Sequence, residues 1–437
     1  MKRIIILAFS YLILSCANSF ALVSIDITRG NVDPMPIALP YLGGVDNESS
    51  KLGQKIIEVV ENDLENSGLF RPINHRSFLQ DIKSSSTIPE FASWRQINAS
   101  TLLTGGIRIT SANEFEASFR LWDVYAEQQI AGKSYGTNIN NWRRIAHLIS
   151  DEIYSRLTGE DGYFDSRIVY VSESGGGLNR IKRLAIMDQD GANHRYLTDG
   201  KSMALTPRFS KTAQKVLYMS YAGGVPKVYM MDVDTKEKEL MGDFPGMSYS
   251  PRFSPDGKSV IMAASLDGNS EIYTMDLRTK RKTRLTHNSA IDTSPSYSPD
   301  GSKIVFNSDR GGNQQLYIMD EDGDNIERIS FGKGRYGTPV WSPRGDLIAF
   351  TKMHKNRFYI GVMRTDGSGE RLLTESYLDE GPTWSPNGRV IMFARQEAAA
   401  RGTTAKWHIY SVDLTGYNER KIDTPEDASD PAWSPLL

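Results

Sequence analysis

Carboxylates at alternate positions around a glycine are what a calcium loop needs, because several oxygens must converge on one hard cation. Two stretches carry that pattern: Asp320-Glu321-Asp322-Gly323-Asp324-Asn325 and Asp188-Gln189-Asp190-Gly191. Neither has the distal glutamate that would close the coordination sphere with both its oxygens. Asp-Gly between two apolar runs is also a hairpin signal, so turns are expected there and no metal. The six histidines, at 75, 147, 194, 287, 354 and 408, are scattered and form no His-Glu-x-x-His spacing. Gly175-Gly176-Gly177 lacks the lysine of a phosphate loop and suits a hairpin tip. No cofactor is implied.

The bulk of the chain narrows the classes further. Its 437 residues imply two or three domains. Lys plus Arg is 51 and Asp plus Glu 53, a net charge of −2, which gives no basic face for nucleic acid. Lys2 and Arg3 precede an apolar stretch over 4–14, and Ser19-Phe20-Ala21 offers small residues for cleavage. That order is a secretory signal over 1–21, cut after Ala21. The single cysteine, Cys16, lies inside it, so the mature chain would hold no disulfide. Cleavage at Cys16 with lipidation is the less favoured alternative, because Leu14 fits a lipoprotein box poorly.

The positioning elements repeat. Ser250-Pro251-Arg252-Phe253-Ser254-Pro255-Asp256-Gly257 recurs as Ser294-Pro295-Ser296-Tyr297-Ser298-Pro299-Asp300-Gly301, and again around Pro339 and Pro382. A weaker copy carries Pro207, and a truncated one ends the chain at Asp430-Pro431-Ala432-Trp433-Ser434-Pro435. Each copy is followed by an apolar run and then by a motif such as Ile272-Tyr273-Thr274-Met275-Asp276. Four strands in about 44 residues make one propeller blade. Residues 167–198 supply the second, third and fourth strands of a blade without a first, and 430–435 supply a first strand alone. The two fragments complete each other, which predicts an all-β six-bladed propeller over 161–437, closed by 430–435. The regularly spaced Phe209, Phe253, Tyr297, Trp341, Trp384 and Trp433 are expected in the blade core.

Before the ring, residues 22–160 read as an α/β domain of two helices on a small mixed sheet. Helices are expected over 50–67 and 141–157, and strands over 37–42, 69–73, 101–104 and 114–124. Residues 159–165 would be the linker, and 22–33 a mobile start.

The order of these parts, down to the closing strand, resembles the TolB family, periplasmic propellers of the Tol-Pal system. The resemblance covers nearly the whole chain and implies a monomeric, non-catalytic binding protein. Its partners would be the lipoprotein Pal and the inner-membrane protein TolA, and its contact with membranes would run only through them. It would support outer-membrane invagination in cell division and envelope integrity. The resemblance assigns TolA to the mature start, Leu22, Val23, Ser24, Ile25, Asp26 and Ile27. It assigns Pal to the mouth lined by loops that join one blade's outer strand to the next blade's inner strand. Those loops hold Met247, Tyr249, Asp292, Thr293, Arg335, Tyr336, Tyr377, Asp379 and Glu380. Met247, Tyr249, Arg335 and Tyr336 are the expected anchors, because aromatic and arginine side chains dominate interface energy. The competing function is a propeller enzyme, lactonase- or glycosidase-like, with carboxylates at a channel mouth. That requires acids repeated at one strand register, and the acids here fall in irregular loops.

Overall fold

The computed structural model describes residues 24–25, 33–82, 87–176, 179–241, 247–266, 268–398 and 405–437. The signal over 1–21 and Leu22, Val23, Asp26 and Ile27 lie outside the described residues.

The first domain is built on strands β1 (Met35–Ala38), β2 (Gly43–Gly44), β3 (Phe70–Pro72), β4 (Thr101–Ser111), β5 (Glu114–Asp123) and β6 (Gln128–Asn138). Its helices are α1 (Asn47–Asn66), α2 (Phe91–Gln96) and α3 (Trp142–Thr158). The sheet runs β3-β1-β4-β5-β6, with β2 beside β4. It is mixed as expected: β1 runs parallel to both neighbours, and β4, β5 and β6 form an antiparallel meander. Helix α1 starts where Asp46 Oδ1 accepts the Ser49 N–H at 2.7 Å, satisfying one orphan donor of the first turn. Its buried face carries Leu52, Ile56, Val60 and Leu64. Helix α3 stops at Gly159, whose φ of 75° suits a residue without Cβ. The short helix α2 and the long strand β6 went unforeseen.

The ring has six four-stranded sheets. Five are continuous in sequence, and their inner strands are Ala204–Phe209, Met247–Phe253, Asp292–Tyr297, Arg335–Trp341 and Leu378–Trp384. In the sixth, Asp427–Trp433 is the inner strand and pairs antiparallel with Arg167–Ser174, placing Ala432 opposite Val169 and Trp433 opposite Ile168. The closure is reinforced by Trp433 Nε1, which donates to Ser166 Oγ at 2.8 Å. Between blades lie dry apolar clusters; Leu217 and Val228 of one blade meet Val260 and Met262 of the next.

All six inner strands break register at one place. The residue before the repeat proline adopts φ between 44° and 66° at Thr206, Ser250, Ser294, Thr338, Gly381 and Asp430. This left-handed conformation is unfavourable for a β-branched residue, yet it recurs in every blade. It forms a bulge that shifts the pairing with the second strand.

The junction expected as a linker is a packed joint. Tyr163 and Phe164 are buried, and Tyr163 meets the Trp433 ring edge-on at 5.9 Å. Asp151 accepts the backbone N–H of Phe164 at 2.7 Å and of Asp165 at 3.0 Å. Asp63 of α1 is fully buried between the domains; it accepts from Ser150 Oγ at 2.9 Å and Gln189 Nε2 at 2.8 Å, and lies 2.7 Å from His147 Nδ1. The expected mobile start needs a correction at one described residue. Ile25 is buried, and its N–H donates to the Leu157 carbonyl at 2.8 Å.

Candidate functional site

Strand direction gives the channel two different mouths. Each inner strand runs from the interblade loop to the Ser-Pro turn, so the loops gather at one end and the turns at the other. The first domain docks at the turn end. There Asn387 Nδ2 donates to the Asp161 carbonyl at 2.7 Å, Arg344 pairs with Glu160 at 2.8 Å, and Asn418 Nδ2 donates to the Asn66 carbonyl at 2.8 Å. The loop mouth is left clear of these contacts.

At the loop mouth, depth is set by position in the repeat. Four residues before the proline, side chains reach solvent: Met203 is 39% exposed, Met247 48% and Ile291 49%, and Arg335 is exposed. Three residues before it, every side chain is buried: Ala204, Ser248, Asp292, Tyr336, Asp379 and Ala428. The alternation of strand side chains explains the difference, since the second position points between blades.

Three expected face residues are therefore corrected. Tyr336 is fully buried and donates from its hydroxyl to Glu370 Oε2 at 2.7 Å, while Lys352 pairs with the same carboxylate. Asp292 is held by Arg310 Nη2 at 2.7 Å. Asp379 receives Arg395 Nε at 2.6 Å and Nη2 at 2.8 Å, and the hydroxyl of Thr374 at 2.6 Å. Tyr336 and Asp292 are spent inside their own blades, and Asp379 also joins its blade to Thr374 of the one before. Tyr249 is half-buried and donates to Ser270 Oγ, and Thr293 donates to Asn307 Oδ1 at 2.7 Å. Glu380 faces a small cavity of about 130 Å³ in the channel beside Asp430. Burial, with the negative charge of Asp430 behind it, pushes its carboxyl up to about 7.

Met247, Arg335 and Tyr377 do reach the surface, and they have company that the sequence reading missed. Phe331 is 73% exposed and Tyr377 56%, and Tyr221 and Val225 from the loop after the second strand of their blade are exposed at the same end. With Met203, Met247 and Ile291 they put exposed apolar side chains on several loops at this end of the ring. The available signal was the offset of four from each proline, which names Met203 and Ile291 directly. Phe331 follows Ser330 as His287 follows Thr286 and Glu375 follows Thr374, so its counterparts are polar and give no flag.

Chemistry finds little purchase elsewhere. Against the expectation that the chain has no Gly-x-Ser-x-Gly nucleophile turn, Gly132-Lys133-Ser134-Tyr135-Gly136 has that spacing. It lies mid-strand in β6, and Ser134 donates to Glu116 Oε1 at 2.6 Å, not to a histidine. Asp320 spends its oxygens on Lys303 and Asn325, and Gly323 at φ 96° makes the stretch a hairpin turn. Among the described residues the one trio spaced to hold a metal is His147, Asp188 and Asp190. Arg143 already bridges both carboxylates. Burial opposes a charge on His147, but Asp63, Asp188 and Asp190 outweigh it and hold the imidazolium well above the usual range. Two cations thus occupy the place a metal would take.

Comparison with known proteins agrees with this architecture. Residues 154–437 match the family model described as the TolB beta propeller domain, and 23–130 match the TolB amino-terminal domain. The chain belongs to the TolB family. A Tol-Pal system protein TolB from Paramagnetospirillum magneticum is 58% identical over 95% of this chain and 93% of its own length. One from Pelagibacter ubique is 57% identical over 96% of each. The crystal structure of TolB from Acinetobacter baumannii superposes with a TM-score of 0.81 at 28% identity, covering 94% of this chain and all of that one. This TolB-family chain is a component of the Tol-Pal envelope system and not an enzyme. Among the described residues no helix is long and apolar enough to cross a membrane.

Proposed function

We propose that the chain acts in the periplasm, after cleavage behind Ala21, as the link between the lipoprotein Pal and the inner-membrane Tol complex. The link supports outer-membrane invagination at division and envelope integrity. The observation that carries the Pal half is the exposed apolar side chains on the loops of this mouth, the collar of Met247, Ile291 and Phe331, with Arg335 and Tyr377 exposed at the same end. Exposed apolar side chains grouped in one patch and rimmed by polar groups mark protein recognition. TolA would take the mature start, Leu22 to Ile27, adding it as a strand. Because Ile25 is seated against α3, capture by TolA must first free it from Leu157.

Calorimetry with Pal tests the collar. Met247→Asp with Phe331→Asp should weaken binding at least tenfold, while Tyr417→Asp, an exposed aromatic at the turn end, should leave it unchanged. Equal losses at both ends would refute the assignment. Removal of residues 22–27 should abolish TolA binding and spare Pal; TolA binding that survives the deletion would refute the second half.

A further inference from the structure

The turn mouth, opposite the proposed Pal face, contains a cavity of about 320 Å³ with two unlike walls. One residue after the repeat proline, the side chain faces the channel. In two adjacent blades that residue is arginine, Arg208 and Arg252, whereas the other four blades carry Ser296, Val340, Thr383 and Ala432. Lys211 stands beside them at the rim, where the repeat elsewhere has proline, and no carboxylate lines this cavity. Among the described residues neither Arg252 nor Lys211 has a hydrogen-bonding or ion-pair partner. Arg208 donates only to the Pro207 carbonyl, at 2.6 Å, and the acid that acts on it, Asp430, lies deeper in the channel. Burial, and then Arg208, push the Arg252 guanidinium well below its usual range; burial, and then Arg252, lower Lys211. Both arginines also border the adjoining cavity that holds Glu380 and Asp430, yet no carboxylate hydrogen-bonds to either, and two guanidinium groups so close are costly to keep charged together.

The facing wall is apolar. Trp341, Trp384 and Trp433 border the cavity, and each indole N–H already donates inside the protein, to the Gly345 carbonyl, the Val340 carbonyl and Ser166 Oγ. Only ring edges and faces are left for an occupant. We propose that this cavity binds a small organic anion, its acidic group between Arg208 and Arg252 and its flat apolar body against Trp341, Trp384 and Trp433. The guanidinium pair suits a phosphate or carboxylate, which takes two parallel donors, and the volume suits a molecule of modest size. This site is independent of the Pal reading, since it lies at the other end of the channel.

Titration of the full mature chain with phenyl phosphate, followed by tryptophan fluorescence, tests it. Saturable quenching is expected. Affinity should fall at least tenfold in Arg252→Gln and in Arg208→Gln, and not at all in Asp322→Asn on the outer rim. Inorganic phosphate, which lacks the apolar body, should bind at least tenfold more weakly than the ester. Melting curves supply the second readout. Phenyl phosphate should raise the melting temperature of the parent chain and not that of Arg252→Gln, which without ligand should melt no lower than the parent. Should Arg252→Gln fail to fold, Lys211→Met takes its place with the same expected loss. Absence of saturation, or equal affinities in parent and variants, would overturn the site; equal binding of inorganic phosphate would overturn the organic anion.

Discussion

Four residues before each blade proline a side chain reaches the loop mouth, and one residue later it turns between blades; that single step decides which substitutions report on binding. Met247→Ser removes exposed surface only, so stability should stay within about 0.5 kcal/mol of the parent in urea unfolding while Pal affinity falls. Tyr336→Ala removes a buried ring and strands Glu370 beside Lys352, so it should cost about 3–5 kcal/mol and read as a folding defect. Glu380 supplies a pH effect whose sign is fixed. Its folded carboxyl titrates near 7, above its unfolded value, so the folded state binds the extra proton between the two. Stability is intact below the unfolded value and falls as pH rises through about 7, by roughly 2–3 kcal/mol from this group. Urea midpoints at pH 5 and pH 8 should therefore differ less in Glu380→Gln than in the parent. Met247 and Arg335, expected as anchors of the Pal face, are exposed, whereas Tyr336 is not, for a physical reason: an aromatic beside an arginine looks like an interface anchor, and only the placed strand shows which of the two points inward.

At the scale of the element, the left-handed residue before each proline is the recurring unit. Gly381 is the one glycine among the six, and a Cβ there would meet nothing closer than Asp430 Oδ1 at 3.9 Å. Gly381→Val should still cost about 1–2 kcal/mol, because the backbone and not the space resists it. Gly381→Asn should cost less, since asparagine tolerates that conformation; denaturant unfolding of the pair separates the two causes. The blades were legible because proline, aromatic and Ser-Pro turn fall at fixed intervals, and α1 and α3 because Leu52, Ile56, Val60 and Ile145, Ile149, Ile153 keep helical spacing. Strand β6 was not, since Gln128, Gln129, Gly132, Lys133 and Ser134 are exposed and carry none of the alternation a half-buried strand shows. Helix α2 is six residues long with no side-chain cap at Glu90, so nothing local announces it. The bulges were invisible because five of the six residues are not glycine.

At the scale of the molecule, the closing blade and the joint behind it hold two domains as one body. Deleting residues 431–437 removes the Trp433 contacts with Tyr163 and Ser166 and strips Ile168 and Val169 of their inner-strand partners. The melting temperature should fall sharply, the tryptophan alone being worth about 3–5 kcal/mol. The joint has its own test. Asp63→Ala leaves the charged His147 buried with Asp188 as its remaining near carboxylate, 3.8 Å away, and should cost about 3–5 kcal/mol. Calorimetry should show a single transition in the parent and a broadened or split one in the variant, because Asp63 ties α1 and α3 to the turn after the third strand of the sixth blade through Gln189.

The split blade also imposes a schedule. A chain made from its N-terminus presents Arg167–Ser174 about 250 residues before Asp427–Trp433 exists. The other five blades can assemble in turn as each emerges, whereas the sixth waits for the final clause of the message. A premature stop anywhere in that interval leaves every earlier blade written and the ring open.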